Sequence, residues 1–453
     1  MLSKLLRPEI QELIESGDLK SLKEITEEWE PAEIADLLTS IKEEEQPVFF
    51  RLLSKSRAAI VFSYLDSDSQ EKLLRNLSNE YISKLLTELE PDDRTALFEE
   101  LPGEITQRLL SLLSDKEKRD ALKLLGYPED SVGRLMTDYY VKVYPDMKIK
   151  DALKTIKKYG KNAETIDMIY VVDKKGRLID DIPLGDIVLA DSNKKIEDIM
   201  DYNYISLSAY DDKEKAAQIM QKYDRTVLPV VDSDNVLIGI VTVDDMMDVI
   251  QEEATEDFTK ISGIEAHPVG LDVITKIKDV PVTKLYRSRV VWLIFLLFMD
   301  FITGGIIQGF EQTIAKYVVL VTFLPVLVDT AGNAGSQSAT LVIRAMAVGT
   351  IQMRDWFILL GRELLIAGLL GLTMSLGISF MGIWRSKNIL VASVVVSSMF
   401  INVLVGSLIG IILPFIFTKL KKDPATASTP LITTLADIIG TGIYLFIAYL
   451  ILR

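Results

Sequence analysis

The chain has 453 residues, a formal net charge of −15, no Cys and a single His, His267. This composition excludes disulfides, zinc fingers, iron–sulfur clusters and thiol catalysis, and leaves hard-cation chemistry on oxygen ligands. From Arg289 onward there are 11 Lys and Arg against 7 Asp and Glu, a net of +4, so residues 1–288 carry −19. An acidic first half points away from nucleic acid and towards metal cations or basic partners.

The N-terminus, with Lys4, Arg7 and Glu9, lacks the apolar core of a signal peptide, so the acidic half is expected on the cytoplasmic side. Residues 1–130 are polar, with leucines at helical spacing such as Leu85, Leu86 and Leu89, or Leu109, Leu110 and Leu113. Short helices are expected about every 10 to 18 residues, separated by breaks such as Pro31, Pro91 and Pro102, in an acidic helical superhelix. Residues 131–250 hold an internal repeat. One copy runs from Met136-Thr137-Asp138 through a helix to Val171-Val172-Asp173. The other runs from Met200-Asp201-Tyr202 to Val230-Val231-Asp232. Each reads as strand, helix, two strands, helix. This repeat resembles a tandem cystathionine-β-synthase (CBS) pair, which implies a regulatory module and an adenine nucleotide such as ATP, with Thr242 and Asp245 on the ribose. The first copy departs from the pattern, with Pro183 where a hydroxyl residue is usual.

Residues 251–288 are read as a connecting helix and linker. Asp245, Asp248, Glu252 and Glu256 fall on one helix face, bordered by Glu253 and Asp257. Such a face is either simply solvated, or a seam that metal closes and like-charge repulsion opens. Residues 289–453 contain five apolar spans, Val290–Phe310, Tyr317–Ala347, Leu364–Trp384, Ile389–Phe417 and Leu431–Leu452. An odd count puts the termini on opposite sides, and the basic residues between spans agree with an inside acidic half.

Two features within the spans point to an ion path. Asp437 is the single charge of the fifth span, and a charge at that depth is expensive. The run Asp329-Thr330-Ala331-Gly332-Asn333-Ala334-Gly335-Ser336-Gln337 is expected to interrupt the second span. Its freed carbonyls would face a cation, or its small residues would pack helices closely. One carboxylate plus carbonyls suits Mg²⁺, which keeps its waters, better than Ca²⁺.

Taken together, Pro325 with Gly332–Thr340, Asp423-Pro424-Ala425, Leu435-Ala436-Asp437, and Thr242–Asp245 with Glu253–Asp257 resemble the MgtE family of bacterial magnesium channels. The resemblance implies a multidomain α plus α/β fold: N-terminal helical superhelix, CBS pair, connecting helix and a five-helix transmembrane domain at 289–453. It implies a non-enzymatic homodimer in the bacterial inner membrane, surrounded by lipid and moving Mg²⁺. It makes Asp437 the pore carboxylate, and Gly332, Ser336 and Thr433 positions whose carbonyls face the ion. Asn333 and Asp329 complete the candidate pore set. Glu214, Asp224, Asp245, Asp248, Glu253, Glu256 and Asp257 match acidic positions where intracellular Mg²⁺ binds and locks the closed state; Asp92 and Asp93 are weaker candidates. Asp329 and Asp300 depart from the family pattern, and favour the alternative of a Na⁺- or H⁺-coupled divalent-cation transporter. No nucleophile–base pair, Walker loop or dinucleotide motif suggests an enzyme.

Overall fold

The computed structural model describes residues 10, 12–14, 16, 18–264 and 280–452. Residues 1–9 and 265–279, and with them Lys4, Arg7, Glu9, His267 and part of the expected linker, lie outside the described residues. The chain forms two compact units, Met1–Val249 and Ile250–Arg453.

The first unit begins with a stack of short helices. Their starts at Lys55, Ser67, Asn79, Pro91, Gly103 and Asp115 lie twelve residues apart. The period lies within the 10 to 18 residues expected from sequence and is uniform along the stack. Its cause is visible in the leucines: Leu53, Leu65, Leu77, Leu89, Leu101 and Leu113 recur at the same step, and all are buried at helix ends. Each helix offers one apolar face and is too short to stand alone, so stacking supplies the core. Caps set the starts. Asp66 accepts from Ser69 N, Ser78 from Tyr81 N, and Ser114 forms a capping box with Glu117. Pro31 and Pro91 occupy first-turn positions where their missing N–H costs nothing.

The internal repeat folds as expected. β1 (Lys142–Val143) pairs parallel with β2 (Met168–Val172), which pairs antiparallel with β3 (Leu178–Pro183). The second copy repeats this with β4 (Leu207–Ser208), β5 (Val227–Val231) and β6 (Leu237–Thr242). The central strands β2 and β5 are buried along their whole length, which is why they read as unbroken apolar runs. β6 runs directly into one long helix, Val243–Ile261, whose acidic face is the one expected from spacing.

The second unit contains five helices long and apolar enough to cross a membrane: Val282–Gly309, Val318–Ala347, Met353–Ser386, Ile389–Lys419 and Thr429–Ile451. Two expectations fail here. The Gly-containing run does not interrupt the second span; Leu324–Ala347 is continuous α-helix through it. The irregular turn lies before it, at Val318–Thr322, with Pro325 in the first helical turn. The small residues instead let backbones meet. A Cβ on Gly406 would stand 2.2 Å from the Ala331 carbonyl oxygen, and one on Gly410 2.0 Å from that of Gly335. The second and fourth spans therefore pack through facing small residues, as membrane helices do where lipid offers no hydrophobic drive. The third span also begins earlier than expected, so that Arg362 and Glu363 are helical rather than part of a loop.

Candidate metal sites

Along the second span the buried face carries Ala331, Gly332, Ala334, Gly335, Ser338 and Ala339. The opposite face carries Asp329, Asn333, Gln337 and Thr340, all exposed, with Ser336 half-buried among them. Spacings of four, seven, eight and eleven residues put these five on one stripe. Asn333 donates to the Asp329 carboxylate at 3.1 Å, and the Ser336 hydroxyl has no partner. Gly332 has no side chain because the fifth span passes there; a Cβ would meet the Thr433 methyl at 3.1 Å. Asp437 lies one turn further along that span, half-buried, and Asp300 and Asp329 are both within electrostatic reach of it. Gly332, Thr433, Asp437, Asp329 and Asp300 thus belong to one region.

Sequence reasoning passed over two polar groups inside the bundle. Asn402, buried in the fourth span, donates through Nδ2 to the Gly440 carbonyl at 3.2 Å, while its Oδ1 has no partner. Glu363 of the third span accepts from Ser338. A lone amide or carboxylate in an apolar helix was the available signal, the same one that singled out Asp437.

In the first unit, six carboxylates gather from three segments. Glu90, Asp92 and Asp93 open the helix Pro91–Glu100, Glu164 precedes β2, and Asp244 and Asp245 open the long helix. Burial, followed by repulsion from Asp245, Asp93 and Glu90, holds Asp92 well above the usual carboxylate range. Burial, then Glu90 and Asp245, pushes Asp93 up to about 7. Burial, then Glu90, takes Glu164 to about 8, and burial takes Asp245 to about 6 against the hydrogen bond from Thr242. Asp92 Oδ1 and Glu164 Oε2 are buried without partners. Mutual repulsion and orphaned oxygens are what a divalent cation relieves, so these residues fit one. Asp92 and Asp93, the weaker sequence candidates, are central to this group, and Glu90 and Glu164 are additions to it.

Glu214 opens the helix Lys213–Lys222, and Asp224 follows that helix with φ +49°. Asp248 is exposed on the long helix, its carboxyl raised by burial and then Asp244. In the second unit, burial and then Asp423 push Asp257 up to about 6. Among the described residues no three Asp, Glu or His side chains stand at metal-ligand distance in one place. Mg²⁺ bound here would be held by one or two carboxylates and its own waters, which is its preferred mode. In the second copy of the repeat Thr242 donates to Asp245 Oδ2 at 2.8 Å; in the first, Pro183 replaces that donor and Asp186 is exposed.

The chain is 37% identical over 447 residues to the magnesium transporter MgtE of Thermus thermophilus, covering 98% of both chains. It belongs to the MgtE family of magnesium transporters. The match to the family's divalent cation transporter domain covers residues 324–447, its intracellular N domain 29–130, and CBS domains 132–193 and 196–252. The MgtE magnesium transporter of Bacillus subtilis is 35% identical over 92% of this chain and 85% of its own. Among solved structures, the cytosolic domain of the Mg²⁺ channel MgtE in complex with ATP aligns with 54% of this chain and 100% of its own, at 37% identity and a TM-score of 0.52. The soluble part of a magnesium transporter aligns at 29% identity over 56% of this chain and 99% of its own, with a TM-score of 0.53. MgtE membership with five spans in the second half makes the chain a multi-pass membrane transport protein, a non-enzyme kind, with its acidic first half cytoplasmic.

Proposed function

We propose that this MgtE-family chain is a Mg²⁺ pore formed by a homodimer, closed by intracellular Mg²⁺ on its acidic cytosolic residues. One observation carries the pore reading: a polar stripe of Asp329, Asn333, Gln337 and Thr340, with the half-buried Ser336 among them, is left uncovered on a membrane helix, beside Asp437. Lipid does not tolerate such a stripe, so it faces water and a second copy of the same surface. Asp437 is the carboxylate that holds hydrated Mg²⁺ through its waters. Gly332, Ser336 and Thr433 border that path, with Asn333 and Asp329 at one end. In a continuous helix the carbonyls of Gly332 and Ser336 already accept intrahelical bonds, so in this reading they meet the ion only through its waters.

In this reading residues 1–130 and 131–250 sense Mg²⁺, residues 251–288 transmit, and residues 289–453 conduct. The crowded carboxylates around Asp92, Asp93, Glu164 and Asp245 repel one another without metal, and Mg²⁺ bound among them favours the compact, closed arrangement. Glu214, Asp224 and Asp248 in the first unit, and Glu253, Glu256 and Asp257 in the second, are further Mg²⁺-sensing positions in this reading. The relative crystallised with ATP supports a nucleotide site, which this reading puts at Thr242 and Asp245. The nearness of Asp300 and Asp329 to Asp437 supports a second reading, transport coupled to Na⁺ or H⁺.

The deciding experiment is flux into liposomes holding the full chain. Asp437→Ala abolishes Mg²⁺ uptake while leaving a folded dimer, and normal uptake by that variant overturns the pore assignment. Uptake by the unaltered protein that follows a Na⁺ or H⁺ gradient selects coupled transport.

A further inference from the structure

Three polar side chains inside the bundle of spans each hold an oxygen that nothing answers. Ser398 and Asn402 of the fourth span and Thr441 of the fifth are 0%, 1% and 0% exposed. Ser398 Oγ, Asn402 Oδ1 and Thr441 Oγ1 have no hydrogen-bond partner among the described residues. Such atoms are costly in a membrane interior, where no bulk solvent satisfies them, and polar groups kept there mark ion paths.

Helix geometry brings them to one place. Ser398 and Asn402 are one turn apart on one face, and a long helical side chain leans towards the N-terminus, so the Asn402 amide leans to Ser398. Its Nδ2 is spent on the Gly440 carbonyl at 3.2 Å, which leaves only an oxygen to offer. Gly440 permits this approach, since a Cβ there would stand 3.3 Å from Asn402 Nδ2. Thr441 follows Gly440 directly. One turn beyond it, Tyr444 donates to the Leu320 carbonyl at 2.9 Å and closes that side against the irregular turn Val318–Thr322. One turn the other way along the fifth span stands Asp437.

The donors are neutral oxygens, and the field around them is negative. Asp300 and Asp329 are within electrostatic reach of Asp437. Residues 324–343, 389–418 and 429–451 contain no Lys or Arg to balance them. Such a field favours a cation over a neutral guest. Mg²⁺ gives up its waters reluctantly and suits the open polar stripe. A monovalent ion sheds its shell more readily, and neutral oxygens at membrane depth take the place of that shell. We infer that Ser398, Asn402 and Thr441 form a Na⁺ site inside the bundle of a single chain, separate from the Mg²⁺ path along the polar stripe. The inference deepens the coupled-transport reading and rests on it for the identity of the ion, but it is tested by binding rather than by flux.

The test melts the full chain in detergent and chelator as Na⁺ replaces choline at constant ionic strength, and counts retained radioactive Na⁺ by equilibrium dialysis. Na⁺ is expected to raise the melting temperature saturably, by about 2 to 4 °C. Thr441→Val and Ser398→Ala each weaken Na⁺ retention about tenfold and lose most of that rise. In choline, Thr441→Val melts no lower than the unaltered protein, because it removes a hydroxyl that had no partner. Equal melting of the unaltered protein in the two salts, or a Na⁺ rise that survives both substitutions, overturns the inference. So does a Thr441→Val that melts lower by the same amount in both salts, which is how a hydroxyl held by a structural water behaves. If Ser398→Ala fails to fold, Thr441→Val decides alone, since it keeps the shape of the side chain. Intact Na⁺ retention with a Mg²⁺ flux that ignores the Na⁺ gradient overturns coupling instead and leaves the site standing.

Discussion

Replacing Gly410 by Ala adds one methyl at the contact between the second and fourth spans. The added Cβ would lie 2.0 Å from the Gly335 carbonyl oxygen, with that residue's carbonyl carbon and Cα at 2.8 and 3.0 Å. Ordinary contact needs about 3.4 Å, so the two helices must part by roughly 1 Å or more, because backbone cannot rotate away as a side chain can. A gap of that size forfeits about a quarter to a half of each dispersion contact along the seam. The cost falls at or above the upper end of the usual overpacking range, about 3 kcal/mol. The seam also holds the polar stripe in place, so Mg²⁺ flux falls with stability. Gly377→Ala is the control, since it lies in the third span with open space around its Cβ. Thermal unfolding of both variants in detergent, with flux in liposomes, checks the argument. Equal melting temperatures for Gly410→Ala and Gly377→Ala would falsify the close packing of these spans.

Three further outcomes are expected. Asp93, Glu164 and Asp245 have folded values raised to about 7, 8 and 6, so the folded unit binds more protons than the unfolded chain. The stability these groups contribute without metal is therefore fully present below the ordinary carboxylate range and is lost as pH rises, most steeply from about 4.5 to about 6 and with diminishing slope up to about 8. Mg²⁺ flattens that fall by replacing the protons, and a level melting profile from pH 5 to 8.5 in chelator would refute it. Thr242→Val removes the 2.8 Å hydrogen bond to Asp245 and weakens ATP binding about tenfold by calorimetry; an unchanged Kd would remove Thr242 from the nucleotide site. Asp329→Asn keeps the contact with Asn333 but drops a charge near Asp437, and lowers Mg²⁺ selectivity over Co²⁺ and Ca²⁺ in competition flux; identical selectivity makes Asp329 a packing residue.

Much of the architecture was written along the chain. Five apolar stretches long enough for a bilayer, an alternation of strand and helix repeated twice, and leucines at helical spacing are one-dimensional signals, because each period belongs to the element itself. The twelve-residue step of Leu53, Leu65, Leu77, Leu89, Leu101 and Leu113 was equally available and was read too loosely. Asp437 stood out for the same reason, as a charge where its neighbours forbid one. What the sequence did not decide was which way small residues act. Gly332 and Gly335 read equally well as a helix break or as a packing seam. Only the facing Gly406, Gly410 and Thr433, about 70 to 100 residues away in the chain, make them a seam within a continuous helix. The same holds for charge. Glu90 and Glu164 are unremarkable acidic residues, and Asp92 only a weak candidate, until folding brings three segments together around Asp245 and withdraws them from water. Lys260 finds Asp423 across 163 residues by the same route. Local periodicity is set by the backbone, but repulsion, close approach and shared cations depend on distances in space, and those exist only once the tertiary structure has formed.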